Sequence, residues 1–448
     1  MKKLSVLLAL TAFSLPAMSQ NFVGAQIDSR MGVQSLTLNP ALGTLARTKL
    51  DINLLSGSAF AGSDYLSINL SDLGSVVNGF SLEDDVVTNP QPDNNFFGNI
   101  DILGPSVLMR LNERSVISLT TRARGFFNLN NIDGDFFEFV TDSETGKVDF
   151  NAEMEDISGI GHFWGEISAG YSRILVERSN HSFSAGANLK LLLGAGGAFG
   201  DTPQLSASYR SESDMLTTQG DLDYGYSVGF DSQDINFSEI QPGFAIDLGF
   251  IYELKGNHTE GKDYKLRAGI SVLDIGKVNY HDGYRIEYDM NATISGDEFE
   301  EKDFQEVLED NYVGTERPFE GALGLPTSLQ IFLDYGISHR FYLSAQAGVA
   351  LSQDGDIPVS RVINTATITP RMEMKLLSIY SPISYRQYDA IPSWGLGVRF
   401  GPVVIGSGSI LTNAISKKSR TADAYVGLKL PIYGRIKEKV KKDKSNDI

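Results

Sequence analysis

The sequence predicts an all-β protein, an up-and-down antiparallel transmembrane β-barrel with an N-terminal plug in its lumen. Three observations predict this fold. The strand-like segments are about 9–12 residues long, which is the length that a tilted membrane strand needs and longer than a typical soluble strand. The connections alternate between tight turns and long loops. Aromatic residues gather near strand ends, as in the interfacial girdles of membrane barrels. A soluble β-sandwich would share the polar–apolar alternation but not these features.

The strand pattern recurs along most of the chain. Alternating polar and apolar residues occupy 115–125, 181–193, 265–272, 341–351, 396–400 and 424–430. Tight turns are predicted near Asn112, Ser179, Ser338 and Gly401. Long loops are predicted over residues 128–163, 231–242 and 291–326. Short turns at one end and long loops at the other are typical of outer-membrane barrels.

The composition supports a β-rich fold and excludes several kinds of site. Among 448 residues there are 45 glycines, 18 tyrosines and 25 phenylalanines, which suits strands and turns. The formal net charge of −18 argues against a nucleic-acid partner. Because the chain has no cysteine, it has no disulfide, no thiolate metal site, no cysteine nucleophile and no lipidated N-terminal cysteine.

The first nineteen residues are predicted to be a signal peptide. Lys2 and Lys3 precede an apolar run over residues 4–15, and Ala17 and Ser19 place the cleavage site before Gln20. A membrane anchor is the alternative, but the apolar run is too short to span a bilayer. A secreted chain without a spanning helix ends in the periplasm, in the medium, or in the outer membrane as a barrel.

The predicted mature chain has three parts. Residues 20–48 form a plug, residues 49–432 form the barrel, and residues 433–448 form a basic periplasmic tail. Where the plug meets the barrel, Asn39 is suited to cap a short helical turn that Pro40 begins and Ala41 continues. Deleting residues 22–40 is therefore predicted to leave an inserted but permeable barrel. The alternative is that this segment is a periplasmic arm for a partner.

Charged residues on the polar faces of the strands are predicted to face the lumen. They are Arg122, Arg124, Glu166, Lys190, Asp247, Lys265, Arg267 and Arg399, with Lys429 in the last strand. Two interpretations remain open. The charges steer anionic groups such as a fatty-acid carboxylate, or they form a salt-bridge network that fixes the plug.

Two loop regions are candidate external sites. Phenylalanines flank or lie in the loop over residues 128–163 and are either an apolar groove or girdle and packing residues: Phe126, Phe127, Phe136, Phe137 and Phe139. Ser295 and Glu298 have the spacing of a capping box ahead of an acidic helix. That helix is interpreted as either a cation site or, more simply, a solvated helix over the barrel mouth.

Catalytic motifs are absent from the sequence. There is no Walker motif and no H-E-x-x-H, the glycine-rich run over residues 194–200 lacks a strand–helix context, and the five histidines are scattered. The Asp-Gly pairs at Asp133 and Asp354 are interpreted as turns, because Asp-Gly is a common turn signal and their likeness to calcium loops is superficial. We therefore expect no enzyme activity, no cofactor and no metal.

Four stretches carry a resemblance to a known family. They are residues 39–54 (NPALGTLARTKLDINL), 266–280 (LRAGISVLDIGKVNY), 392–411 (PSWGLGVRFGPVVIGSGSIL) and 424–435 (AYVGLKLPIYGR). With Asn39-Pro40-Ala41 in a hatch before the first strand, the chain resembles the long-chain fatty-acid transporter superfamily of outer-membrane barrels. It resembles more closely a Bacteroidota branch of uncharacterised barrels. The tail beyond Tyr433 departs from barrels that end on an aromatic strand residue.

The resemblance implies about fourteen strands and periplasmic termini. Relatives include hydrocarbon and fatty-acid channels and the barrel that carries cargo proteins in type IX secretion. The expected function is passive uptake of hydrophobic or amphipathic small molecules across the outer membrane. The alternative is a scaffold that does not transport and that holds a secretion or cell-surface protein complex. Expected partners are outer-membrane lipid, a hydrophobic ligand and, for the scaffold, a surface or secretion protein.

Overall fold

The computed structural model describes most of the predicted barrel. The described residues are 22–68, 86–141, 148–227, 230–231, 234–235, 240–256, 264–302, 304–352 and 357–434. The predicted signal peptide and the basic tail from residue 435 onward lie outside the described residues.

Strands dominate this part of the chain. In order they are β1 Leu50–Ser63, β2 Leu66–Ile68, β3 Val86–Thr88, β4 Asn94–Leu103, β5 Ser106–Arg110, β6 Ser115–Ile132, β7 Phe150–Glu177, β8 His181–Arg210, β9 Met215–Ser227, β10 Phe230–Asp231, β11 Asp234–Ile235, β12 Gln241–Lys255 and β13 Tyr264–Tyr280. They continue with β14 Gly283–Asp289, β15 Ala292–Ser295, β16 Val313–Pro318, β17 Gly321–Gly324, β18 Ser328–Gly336, β19 Phe341–Ala350, β20 Thr365–Glu373, β21 Leu377–Tyr380, β22 Ile383–Arg386, β23 Ser393–Trp394, β24 Leu396–Phe400, β25 Val403–Ser407 and β26 Thr421–Ile432.

The helices are short. Two 3-10 helices, Gly32–Thr37 and Pro40–Leu45, precede β1. The α-helices are α1 Gly134–Thr141, α2 Glu298–Glu301, α3 Phe304–Asn311 and α4 Ile410–Ile415. Among the described residues, no helix has the length and apolar character needed to cross a membrane.

The main sheet closes on itself as an antiparallel barrel. The last strand pairs with the first, from Leu50 opposite Ile432 to Gly62 opposite Thr421. Four positions in the wall are built from two consecutive segments each, namely β4/β5, β17/β18, β21/β22 and β23/β24. The wall therefore has fourteen strands, and the predicted all-β barrel is confirmed.

The wall has its polar face inside and its apolar face outside. On β26, Val426, Leu428 and Leu430 are exposed, whereas Tyr425 and Lys429 are buried. The same arrangement recurs around the wall, where exposed Leu, Ile, Val and Phe side chains cover the outer face. A belt of apolar side chains around a polar interior is the arrangement of a barrel embedded in lipid.

The two ends of the barrel differ. Leu50 and Ile432 begin and end the wall at one end, here called the terminal end; the opposite end is the distal end. The predicted tight turns at Asn112, Ser179 and Ser338 lie at the terminal end, as does Gly401. At the distal end the chain between strands is much longer.

Strands β7 and β8 run past the barrel and form a distal extension. They contain 28 and 30 residues. The distal part of β8 pairs with β9, and β9 in turn pairs with β14 and β15. Helices α1, α2 and α3 pack on this sheet around an apolar core. The predicted long loops over residues 128–163 and 291–326 are therefore largely strand and helix, because their apolar residues form a core of their own.

The predicted acidic helix begins later than its sequence signal indicates. Ser295 is the last residue of β15, and its hydroxyl donates to Asp214 instead of capping the helix. The prediction that Ser295 and Glu298 form a capping box is thus wrong. Val307 and Leu308 are buried against the distal sheet.

Candidate functional site

The lumen of the barrel is the candidate site, and the terminal end of it contains the N-terminal segment, residues 22–48. Its apolar side chains are buried, among them Ile27, Met31, Val33 and Leu42. The segment makes no strand pairs with the wall. Side chains hold it instead, and they come from strands around the whole barrel.

Asn39 joins this segment to two neighbouring wall strands. Its side-chain oxygen accepts from the Ala41 amide at 2.9 Å, which caps the 3-10 helix that starts at Pro40. Its amide nitrogen donates to the carbonyl oxygens of Phe250 on β12, at 3.3 Å, and Ile270 on β13, at 3.0 Å. The helical turn anticipated from Asn39-Pro40-Ala41 is present, and the same asparagine fastens it to the wall.

Two paired glycines make room for this turn. Gly186 on β8 lies opposite Gly249 on β12. A Cβ atom on Gly249 would lie 2.1 Å from Asn39 Oδ1, and one on Gly186 would lie 2.6 Å from the Ala41 nitrogen. Since real Cβ contacts are never this short, any larger residue at either position would displace the turn.

Asp28 is the main ionic anchor of the N-terminal segment. Its fully buried carboxylate accepts from the hydroxyls of Tyr380, at 2.7 Å, and Ser378, at 2.9 Å, and from Arg399 Nε at 3.3 Å. Burial alone would raise the pKa of Asp28, but Arg399, the Tyr380 hydroxyl and the backbone of Arg30 hold that pKa below its ordinary value. The carboxylate is therefore kept charged at its partners.

A second anchor lies on the strands that close the barrel. Lys429 Nζ on β26 is 3.1 Å from the Asp51 carboxylate on β1 and also donates to the carbonyl oxygen of Arg30. The same Asp51 accepts from the Val33 amide at 3.1 Å. Arg30 lies 3.4 Å from Glu373 on β20. The segment is thus tied to the first strand, the last strand and the strands between.

Above the N-terminal segment lies a cavity of about 140 Å³, here called the chamber. Its floor is formed by Val23, Gln26, Leu36 and Thr37 of the segment. Its walls come from β4 round to β20, nine of the fourteen wall strands. Most of its lining side chains are polar, so the chamber offers hydrogen-bonding groups on several sides.

Seven charged side chains, here called the charged ladder, lie along one side of the chamber, and all of them except Asp101 line it. They are Asp101, Arg122, Arg124, Glu166, Lys190, Asp247 and Asp274, from six neighbouring wall strands. Each side chain is at most 9% exposed.

Every cation of the ladder is shared between carboxylates. Arg124 lies 3.0 Å from Glu166 and 2.8 Å from Asp274. Lys190 lies 2.8 Å from Asp247 and also bonds Asp274. Arg122 bonds Asp101 and lies 3.7 Å from Glu166. These ion pairs join wall strands to one another, whereas Arg399 and Lys429 hold the N-terminal segment.

A bulge in the wall brings two of these carboxylates together. On β12 and β13 the pairing shifts register around Asp247, so that Leu273 and Asp274 face a single residue. Asp274 takes a positive φ of 60°, and its amide donates to Asp247 at 2.8 Å. Such a bulge re-aims a side chain, and here it turns Asp274 toward Lys190 and Arg124.

On the distal side of the chamber lies an apolar layer, here called the aromatic layer. It comprises Phe60, Phe97, Phe126, Ile160, Trp164, Leu192, Phe199, Ala245, Val278, Tyr280, Phe319, Leu323, Leu325, Ile363 and Tyr388. Most of its members lie on wall strands, whereas Phe319, Leu325, Ile363 and Tyr388 lie between strands, and all of them pack in one cluster. Trp164 stacks on Phe126 with ring centroids 5.6 Å apart.

Residues 357–363, here called the strap, cross this layer. Near one end of the strap Val359 pairs with Gly324 on β17. Near the other, Asn128 on β6 makes two bonds with Arg361, donating to its carbonyl oxygen at 3.1 Å and accepting from its amide at 2.9 Å. Val362 and Ile363 then line the chamber from above.

All of the predicted lumen residues except one lie inside the wall. Arg122, Arg124, Glu166, Lys190 and Asp247 belong to the charged ladder, Arg267 pairs with Glu253 near the terminal end, and Arg399 binds Asp28. Lys265 is exposed instead. A bulge explains this difference, because Tyr264 pairs with Lys255 and Leu266 with Leu254, which leaves Lys265 unpaired on the outer side.

The five predicted loop phenylalanines do not form a groove. Phe126 belongs to the aromatic layer, and Phe127 is half-buried on the opposite face of β6. Phe136 and Phe139 lie in the core of the distal extension. Phe137 packs against Phe96 with ring centroids 4.5 Å apart. Four of the five side chains therefore pack in three separate clusters, as the packing alternative expects.

Several site residues were missed from sequence. Asp28, Asp101 and Asp274 are central to the ion pairs, but their partners lie 21 to 371 residues away in the chain. Asp28 was detectable as the single acid of residues 22–48. Asp274 was hidden, because only the bulge turns it into the lumen. Among the described residues, no group of His, Asp and Glu side chains is arranged to hold a metal ion.

Comparison by sequence places the chain in a family. Residues 40–408 match the model of the family described as a family of unknown function, DUF5723. The chain belongs to this family. The matched region of the DUF5723 chain runs from Pro40 in the N-terminal segment to Gly408 before α4. No curated protein matches the sequence.

Solved structures similar to this DUF5723 chain include three bacterial proteins. The toluene transporter TodX of Pseudomonas putida is 11% identical, with 89% of this chain and 92% of that chain covered and a TM-score of 0.39. The toluene transporter TbuX of Ralstonia pickettii is 9% identical, with coverages of 90% and 94% and a TM-score of 0.40. A FadL homologue of Pseudomonas aeruginosa is 10% identical, with coverages of 92% and 96% and a TM-score of 0.40. Likeness at this level does not bear on function, so the function has to be inferred from the geometry of the barrel.

Proposed function

We propose that this chain is an outer-membrane barrel for the passive uptake of hydrophobic or amphipathic small molecules, and that it is not an enzyme. The apolar outer face supports placement in a membrane, and a secreted barrel belongs in the outer one. The single observation that carries the proposal is the chamber, a polar cavity with an apolar distal side inside a closed wall. An amphipathic molecule matches both surfaces.

The N-terminal segment is proposed to be the plug that separates the chamber from the terminal end. Side-chain bonds hold it in place and no strand pairing does, so it can leave its seat without breaking the wall. Asn39 and the glycine pair fix where the segment turns toward β1. Displacement of the segment would release a ligand from the chamber toward the periplasm.

The strap is proposed to be the second closure, on the distal side. Ile363 completes the aromatic layer, and the two bonds between Asn128 and Arg361 fasten the strap across the lumen. Uptake then requires both closures to open, one on each side of the chamber. The sequence-based expectation that deletion of residues 22–40 alone gives a permeable barrel did not include this second closure.

Single-channel conductance in planar bilayers tests this arrangement. Four chains are compared: the unaltered protein, the deletion of residues 22–40, Asn128→Ala, and the combination. The expected result is a steady open conductance only in the combination, with closed or briefly opening traces in the others. A closed baseline in the combination would rule out both closures, and the same conductance from the deletion alone would rule out the strap.

Uptake itself is measured in liposomes that contain the purified protein. An amphipathic dye is expected to enter faster than into liposomes without protein. Equal entry rates in the two preparations would overturn the uptake proposal. The alternative of a scaffold for a secretion or surface complex gains no support from the described residues.

A further inference from the structure

We infer that the chamber receives the head group of its ligand as an uncharged polyol or amide, and not as a carboxylate or phosphate. This inference deepens the proposed uptake function and rests on it. It commits to one chemical class, a neutral head group that both donates and accepts hydrogen bonds, joined to an apolar part.

Each cation of the charged ladder is already paired with carboxylates, although the Arg124 Nε–H is a buried donor without a hydrogen-bond partner. Arg122, Arg124 and Lys190 each lie within 4 Å of at least two carboxylates. The ladder contains four carboxylates and three cations, so its net charge is −1. An anionic head group would have to replace one of these carboxylates or approach them, and repulsion between like charges is strong away from bulk water.

The next arc of the wall is uncharged where it lines the chamber. Strands β18, β19 and β20 contribute Ser328, Gln330, Gln346, Thr365 and Thr367 to the lining. No charged side chain of these three strands lines the chamber as the structure describes it. A glutamine amide and a threonine hydroxyl each offer both a donor and an acceptor, which suits a hydroxyl or an amide.

The ceiling of the chamber suits the apolar part of the same ligand. Phe97, Phe126, Val362 and Ile363 line its distal side. A fully apolar ligand would displace water from the glutamine and threonine side chains and offer them no hydrogen bonds in return, which is unfavourable. The lining therefore disfavours both an anion and a pure hydrocarbon.

Binding of three probes with the same hexyl tail tests the inference. The probes are hexyl glucoside, hexanoate and hexyltrimethylammonium, added to the full mature chain in lipid nanodiscs. Trp164 stacks on Phe126 of the chamber lining, so its fluorescence reports occupancy. The second tryptophan, Trp394, is exposed on the wall and is replaced by phenylalanine to leave one reporter.

The expected result is saturable binding of the glucoside, about tenfold or more tighter than that of hexanoate, because only hexanoate brings a like charge to the ladder. Equal or tighter binding of hexanoate would overturn the inference, and so would tightest binding of the cation. No saturable change with any probe would also overturn it. A glucoside that binds but does not enter liposomes would instead contradict the uptake function while leaving the head-group assignment in place.

Two variants separate the two sides of the chamber. Gln346→Leu is expected to weaken glucoside binding about fivefold and to leave hexanoate binding unchanged, because it removes a neutral hydrogen-bonding group. Asp247→Asn frees one contact of Lys190 and is expected to strengthen hexanoate binding. Gln346→Leu is similar in size and carries no charge change, so it keeps the inference testable even if Asp247→Asn fails to insert. Unchanged binding of both probes in Gln346→Leu would contradict the assignment.

Discussion

At the scale of single residues, space and charge in the lumen are set by pairs that lie far apart in the sequence. Gly186 and Gly249 face each other across two strands, and Asn39 occupies the room that they leave. The sequence indicated that Asn39 caps a turn, since the capping rule is local. It did not indicate that two paired glycines make room for this turn, because the register between β8 and β12 cannot be read from either strand alone.

Gly249→Val is expected to displace the N-terminal segment. Its side chain would collide with Asn39 Oδ1, which lies 2.1 Å from the Cβ position. In the Asn128→Ala background, planar-bilayer recordings should then show an open conductance like that of Asn128→Ala combined with the deletion of residues 22–40. Gly165→Ala is the control, because its Cβ would meet nothing closer than 3.6 Å. A closed channel in the double variant Gly249→Val, Asn128→Ala would contradict this role of the glycine pair.

Asp28→Ala is expected to destabilise the folded barrel more than removal of the whole ion pair does. The change leaves Arg399 buried beside Ser378 without its carboxylate, and such a loss costs about 3–5 kcal/mol. Urea unfolding in detergent micelles measures the free energy of unfolding. The double variant Asp28→Ala, Arg399→Met should recover part of the loss. Additive losses in the double variant would show that the two charges act independently.

At the scale of elements, the wall strands were predictable and the distal end was not. Period-two alternation over residues 181–193 and 341–351 gave strands with the correct faces, because one side meets lipid. Two parts of the distal extension, residues 128–163 and 291–326, were predicted as loops, since their strands belong to a sheet whose core comes from α1, α3 and β14 together. The strap has no periodicity, and only its contacts with β6 and β17 define it.

Val307→Asp is expected to unfold the distal extension and to leave the barrel closed. Val307 is fully buried in the extension core, where an unpaired carboxylate is strongly unfavourable. Limited trypsin digestion should cut within residues 134–160 and 280–320 while the wall strands resist. Glu309→Ala, on the exposed side of α3, is the control and should digest like the unaltered protein. Loss of the whole barrel in Val307→Asp would show that the extension and the wall fold as one unit.

At the scale of the whole molecule, the fold class followed from strand length, loop alternation and aromatic placement. The set of side chains that face the lumen could not be predicted in full, because Lys265 and Asp274 change sides at bulges that alternation does not reveal. The predicted charges Arg124 and Lys190 do lie in the lumen, but their carboxylate partners decide what those charges can bind. A list of inward positions thus predicts a polar interior and not its net charge.

The closed wall predicts how the purified protein behaves. Folded protein in detergent is expected to migrate differently from boiled protein on a gel, and its circular dichroism spectrum is expected to be β-rich. The physical reason is that a ring of paired strands resists detergent until it is heated. Purification from the periplasm as a soluble monomer without detergent would contradict a membrane barrel.

The two anchors of the N-terminal segment also bear on the order in which the ring forms. Closure must bring Leu50 to Ile432, and the entropy lost in joining ends that far apart opposes it. The segment directly precedes β1, yet it bonds Arg399 and Lys429 on strands near the other end of the chain. Once the late strands have gathered on the segment, they already lie beside β1. The residues that we propose to close the pore would therefore also act as a template during assembly and shorten the search for the final seam.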